Sequence, residues 1–130
     1  MGVYRDMIMI IGGGIFQIPA ICEAKKMGLT VLVTDKDPHA PGFTYADYAE
    51  CISAKDISAS IACARRYQQQ GGLRGVFTAG TDVAYTVASV AHALGLPGIA
   101  PEAALRATDK YRMRVCFAEH GIPCPRFFRA

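Results

Sequence analysis

Charge is scarce in this sequence. Only 19% of its 130 residues are Asp, Glu, Lys or Arg, against 52% hydrophobic, a balance that excludes a solvated, disordered chain. Long apolar runs are missing too. None approaches the ~20 residues that cross a bilayer, and the N-terminus lacks the apolar stretch of a signal peptide, so a cytoplasmic protein without a membrane partner is expected. Five cysteines are present, Cys22, Cys51, Cys63, Cys116 and Cys124. Their number is odd, and no two have the C-x-x-C spacing of a zinc or redox site. Several sit in apolar company, where a free thiol behaves as a small hydrophobe, and a reducing compartment is the simple reading. The three histidines, His39, His92 and His120, lack metal-ligand spacing. No Ser/His/Asp set, Cys/His set or acid pair can be assembled, so no catalytic residue and no metal site is assigned. No repeat or low-complexity tract is visible.

What is present fits one compact α/β domain. The length suits one domain and not two, and thirteen glycines and seven prolines punctuate many Ile, Val and Ala residues. The net charge of +3 is unevenly placed: residues 1–105 hold eight basic against nine acidic side chains, and residues 106–130 hold six against two. A nucleic-acid binder would spread its basic residues over a face with aromatics interleaved. A basic C-terminal end suggests instead a local anion site or a solvated helix face, and no nucleic acid is expected.

Met7-Ile8-Met9-Ile10-Ile11, apolar on both faces and stopped by Gly12-Gly13-Gly14, reads as a buried parallel strand. A helix should follow, with Ile15, Ile18, Cys22 and Lys25 at helical spacing, Ile21 beside them, Pro19 in its first turn and Gly28 at its end. Thr30–Thr34 is a second buried strand, ending at Asp35. Residues 36–50 read as a loop, with a very short strand at Cys51-Ile52. Asp56 should cap a helix over 57–70 whose core face is Ile57, Ile61 and Ala64, with Tyr67 near its end. Gly75–Thr78 reads as a strand, followed by the turn Ala79–Asp82 and a helix with Val83, Val87, Val90 and Leu94 on one stripe, ending at Gly95. Leu96–Ile99 should be short and extended. A brief helix spans 101–107. Thr108 or Asp109 caps a last one, with Met113, Cys116, Phe117 and His120 on one face, and residues 126–129 alternate as the start of a strand does. Strand–helix alternation implies a mostly parallel sheet in three layers, with the ligand crevice at the carboxyl ends of the strands.

Two turns should lie at that edge. Gly12-Gly13-Gly14-Ile15-Phe16-Gln17 feeds a helix N-terminus, where unpaired N–H groups can hold an anion. The dinucleotide fingerprint wants glycine where Gln17 stands, although Asp35 lies where a ribose-binding acid would. Three readings stay open: tight packing alone, an anion or small-substrate site, and a nicotinamide site. In Ala79-Gly80-Thr81-Asp82, Thr81 or Asp82 can cap the next helix, and Gly80 and Thr81 can face a ligand shared with Gly13 and Gly14. Lys110, on the first turn of a helix, is disfavoured by the helix dipole. It reads as an exposed lysine or as the partner of a nearby anion such as phosphate.

These residues together resemble a known family. Ile11-Gly12-Gly13-Gly14 with Gln17, Asp35-Lys36-Asp37-Pro38-His39-Ala40-Pro41-Gly42, Tyr45-Ala46-Asp47, Gly75 through Asp82, Leu96-Pro97-Gly98-Ile99, Ala107 through Arg114, and Gly121-Ile122-Pro123-Cys124-Pro125 are similar to the front domain of ATP-grasp proteins. The nearest group is related to the large subunit of carbamoyl-phosphate synthase. The resemblance covers nearly the whole chain, in order. It implies a Rossmann-like pre-ATP-grasp domain over 1–107, then a linker helix and the start of an ATP-grasp domain over 108–130. It also implies ligase chemistry: ATP activates a carboxylate as an acylphosphate, which an amine or similar nucleophile attacks. On that resemblance Gly13, Gly14 and Gln17 line the substrate side and Lys110 reaches the nucleotide. ATP and magnesium would serve the full-length parent, with neither held tightly by these 130 residues. The magnesium-binding carboxylates and phosphate-gripping loop have no counterpart in the sequence, so the chain alone should not hydrolyse ATP. The expected partners are a small carboxylate and an ATP-grasp domain, missing or separately encoded, and a homodimer is possible. The rival readings are a Rossmann-type nucleotide-binding module and a non-catalytic subunit paired with an ATP-binding chain.

Overall fold

The computed structural model describes residues 5–130; residues 1–4, where the expected front domain begins, lie outside it. The strands are β1 (Met7–Ile11), β2 (Thr30–Asp35), β3 (Tyr48–Cys51) and β4 (Leu73–Phe77). The helices are α1 (Ile18–Lys26), α2 (Ile57–Gln70), α3 (Ala84–Leu94), α4 (Pro101–Thr108) and α5 (Lys110–Glu119). Short 3-10 turns span Ile15–Gln17 and Pro41–Tyr45. The strands form one sheet in the order β3-β2-β1-β4. All three pairings are parallel, with Ile11 opposite Thr34 and Asp35 opposite Cys51.

The strand alternation builds the layers. Ile10, Val31 and Val33 pack with Ile21 and Ala24 of α1 on one face. Met9, Ile11, Leu32 and Val76 pack on the other with Cys63, Ala64 and Tyr67 of α2 and Val90 and Ala91 of α3. Met9, Ile10 and Ile11 are wholly buried, as a central strand covered on both sides must be. Burial of each such side chain contributes about 1.5–3 kcal/mol. The expected three-layer, Rossmann-like α/β fold is the one observed.

The structure corrects several local expectations. Ile15 is 69% exposed, because a 3-10 turn precedes α1 and rotates the buried stripe onto Gln17, Ile21 and Ala24. β3 begins at Tyr48, three residues before the expected strand, and is largely exposed. It is an edge strand, so its sequence lacks the two-faced apolar run of β1. On α2 the buried positions are Ser60, Cys63, Ala64 and Tyr67, and Ile57 and Ile61 are only half-buried. Ser60 tolerates burial because its hydroxyl donates to the Asp56 carbonyl at 2.8 Å. β4 starts at Leu73. Residues 126–129 form no strand. Asp56 and Asp109 do cap α2 and α5, accepting from Ala59 N and Arg112 N at 3.0 Å each. Gly95 ends α3 in the left-handed conformation, φ 65°.

Candidate substrate cleft

Because every strand runs parallel, all four loops that follow them emerge at one edge. Together they line a cleft of about 300 Å³. Gly12, Gly14 and Gln17 come from the loop after β1, and Asp35 and Lys36 from the end of β2. Ser53, Ala54 and Lys55 follow β3, and Thr81 and Val83 follow β4.

The first loop is held from several sides. Gly12 turns the chain at φ 100°, a conformation that side chains resist, and its N–H donates to the Thr34 carbonyl at 2.8 Å. The Gly13 N–H donates to Asp35 Oδ2 at 2.8 Å. The second oxygen of that carboxylate, Oδ1, accepts from the Asp37 N–H at 2.9 Å. Asp35 therefore organises the backbone around the cleft, with each of its oxygens already accepting a main-chain amide. The Gly13 carbonyl accepts from the Gly42 N–H at 2.6 Å. A side chain on Gly42 would place its Cβ 2.6 Å from that oxygen.

The first and last loops are tied together. The Gln17 amide donates to the Ala79 carbonyl, and the Thr78 hydroxyl donates to the Ile11 carbonyl at 2.6 Å. Gln17 is 5% exposed, yet it borders the cleft. The side chain standing where the dinucleotide fingerprint needs glycine thus spans the two turns.

The structure separates the expected site residues. Gly14, Gln17 and Thr81 line the cleft. Gly13 is buried behind it, and a Cβ there would meet Val33 Cγ1 at 3.1 Å and Ala40 Cβ at 3.3 Å. It is a packing glycine. Gly80 (φ 65°) backs the same turn, where a Cβ would lie 2.9 Å from Phe16 Cβ. Lys110 lies apart, beside a second depression of about 320 Å³ with Tyr111, Arg114, Phe127, Phe128 and Arg129. Neither Thr81 nor Asp82 caps α3: its N-cap is Val83, without a side-chain hydrogen bond. Lys36 is marked in the sequence only as part of the segment Asp35–Gly42 and not as a site residue, and Ser53 and Lys55 are not marked at all. They look like ordinary loop residues, and only the parallel topology brings them to this edge.

The family description for the ATP-grasp N-terminal domain matches residues 21–98. This chain belongs to that family. The match runs from α1 past α3 and includes the turn that carries Thr81. Comparison with curated proteins yields no match. Among solved structures, phosphoribosylglycinamide synthetase from Anaerococcus prevotii superposes with a TM-score of 0.75 at 23% identity, over 90% of this chain and 29% of that one. L-amino acid ligase from Bacillus licheniformis gives 0.70 at 22% identity, over 95% of this chain and 32% of that one. N5-carboxyaminoimidazole ribonucleotide synthetase from Thermotoga maritima gives 0.68 at 25% identity, over 94% and 32%. The chain thus spans about a third of the length of these structures.

Proposed function

We propose that this chain is the substrate-side N-terminal unit of an ATP-dependent carboxylate–amine ligase, and that the cleft receives the carboxylate. The observation that carries this reading is the convergence of all four post-strand loops on one concavity, with Gln17 bonded across it to Ala79. Ligands of open α/β sheets bind at that edge. The donors suit a small acid. The loop after Gly14 enters the 3-10 turn Ile15–Gln17, in which the Gln17 N–H donates to the Gly14 carbonyl at 3.1 Å and the N–H groups of Ile15 and Phe16 are the first-turn donors. Thr81 adds a hydroxyl from the opposite wall, and Lys36 and Lys55 add positive charge. Gly14 leaves the space open, since a Cβ there would stand 3.0 Å from Gln17 Oε1. The sequence likeness to the carbamoyl-phosphate synthase group supports activation of that acid as an acylphosphate.

ATP and magnesium belong, on this reading, to the parent ligase. The residues present do not fit magnesium. Among the described residues no three His, Cys, Asp or Glu side chains converge, and the one acid at the cleft, Asp35, already serves two backbone amides. Lys110, with Arg114 and Arg129 beside its own depression, would contact nucleotide phosphates. The purified chain is expected to show no ATP turnover; turnover abolished by Lys110→Ala would contradict this.

Thermal unfolding in the presence of a panel of small carboxylic acids tests the reading, because a ligand that binds only the folded state raises Tm. At least one acid should stabilise the chain, and Gln17→Ala should lose that response. Failure of every acid, or an equal response from the variant, would overturn the assignment.

A further inference from the structure

The sequence holds five lysines, and acidic side chains meet two of them. Lys25 pairs with Asp47 and Lys26 with Glu23. Lys110 stands on α5, away from the cleft. The other two, Lys36 and Lys55, have no carboxylate partner among the described residues, and both border the cleft. They come from separate loops, Lys36 after β2 and Lys55 before α2. Their meeting is a product of the topology, not of one charged helix face.

The wall's one carboxylate, Asp35, keeps its charge but forms no ion pair with either lysine among the described residues. The Asp35 carboxylate is held by the Gly13 and Asp37 amides. Ser53 and Thr81 are uncharged, and the Ser53 hydroxyl accepts the backbone N–H of Lys55 at 3.3 Å, which ties that loop locally. Two like charges in one concavity repel each other and concentrate positive potential there. A monocarboxylate seated at Gly14 and Gln17 would leave at least one of the two ammonium groups without a direct partner.

We propose that the cleft takes a small dianion: beside the carboxylate to be activated, the ligand carries a second anionic group, a carboxylate or a phosphate monoester, held between Lys36 and Lys55. This rests on the substrate-side reading of the cleft given above. The same chemistry serves either source of charge, and the choice between them is read by experiment.

The test is titration of the 130-residue chain with propionate, succinate and 2-phosphoglycolate, following the backbone amides of Gly14, Gln17, Lys36, Lys55 and Thr81 by NMR. Succinate or phosphoglycolate should bind about tenfold more tightly than propionate, and whichever does so identifies the second group. The double variant Lys36→Gln/Lys55→Gln should abolish the preference, weakening the dianion about tenfold more than it weakens propionate. Both lysines are exposed and have no carboxylate partner among the described residues, so the variant should fold. The preference should also shrink as salt rises. Equal binding of all three probes, a preference that survives in the double variant, shifts confined to residues away from the cleft, or no shifts at all would each overturn the dianion proposal. The underlying reading fails separately. If dianions bind through the lysines while Gln17→Ala changes nothing, the anion site stands and the substrate-side reading falls. If propionate binds through Gln17 and the lysines are irrelevant, the reverse holds.

Discussion

The side-chain amide of Gln17 donates to the main-chain carbonyl of Ala79, 62 positions away in the sequence, and so joins the turn after β1 to the turn after β4. Gln17 is almost wholly buried, so neither partner is freely replaced by water. Gln17→Ala removes the donor and leaves the Ala79 carbonyl half-buried without it. A loss of about 1–3 kcal/mol of stability is expected, measured by urea unfolding with an unchanged m value. A loss below about 0.5 kcal/mol would place Gln17 among neutral surface positions and remove the link between the two turns.

Gly42 is a second point where the loops cannot give way. Its N–H bonds to the Gly13 carbonyl at 2.6 Å. An added Cβ would sit 2.6 Å from that oxygen and 2.9 Å from Ile21 Cδ1. The nearest obstacle is backbone, so relief requires the 3-10 turn over Pro41–Tyr45 to move away from the glycine loop. Gly42→Ala should cost about 1–3 kcal/mol, the range of an overpacked core. It should also weaken any ligand response of the cleft. A variant with unaltered unfolding midpoint would show that the two loops are not in fixed contact.

Much of this arrangement was legible in the sequence, and the illegible part has a common cause. The apolar runs of β1 and β2 announce strands covered on both faces, and Asp56, Asp109 and Gly95 act as caps through contacts three or four residues long. Such signals are local. The bonds from Asp35 to Gly13 and from Gln17 to Ala79 span 22 and 62 positions, so no spacing rule reveals them. The start of β3 is unmarked in the sequence because an edge strand needs no apolar alternation, and Tyr48 and Cys51 remain exposed. Lys55 carries no local mark, and Lys36 only its place in the family-like segment after β2. Their significance comes from the parallel pairing of β1, β2 and β3, which turns three separate loops toward one edge.

The capping residues give a matched comparison. Asp56 accepts from Ala59 N, and Asp56→Ala should cost about 1 kcal/mol. Asp82 has a similar sequence position ahead of α3 but makes no cap. Asp82→Ala should therefore stay within about 0.5 kcal/mol of the parent chain. Chemical denaturation of both variants checks this. Equal losses would mean that Asp82 caps α3 in solution.

Thr34, at the end of β2, is wholly buried, and its hydroxyl has no hydrogen-bond partner among the described residues. A buried polar group without a partner carries its full desolvation penalty, and an apolar residue of the same shape avoids it. Thr34→Val should raise stability by about 1 kcal/mol. A loss of similar size would reveal a partner for the hydroxyl, such as a bound water.

Asp47 supplies a test in pH. One of its oxygens accepts from the Lys25 ammonium, and the other accepts from the Val31 N–H at 2.8 Å. Burial works to raise the Asp47 carboxyl, but the bonds from Lys25 and Val31, aided by the charges of Lys25 and Arg5, outweigh it and hold the group below the usual carboxylate value. A carboxyl whose pKa is lower in the folded state stabilises the protein above its unfolded value of about 3.9, and that contribution fades as pH falls through the folded value. Asp47→Asn keeps an acceptor for Val31 but loses the charge. The variant should be less stable than the parent at pH 7 and pH 5, and the gap should narrow steadily below about pH 4. Urea midpoints measured across that range decide the matter: a gap that stays constant with pH would show that the Lys25–Asp47 pair adds nothing electrostatic to the fold.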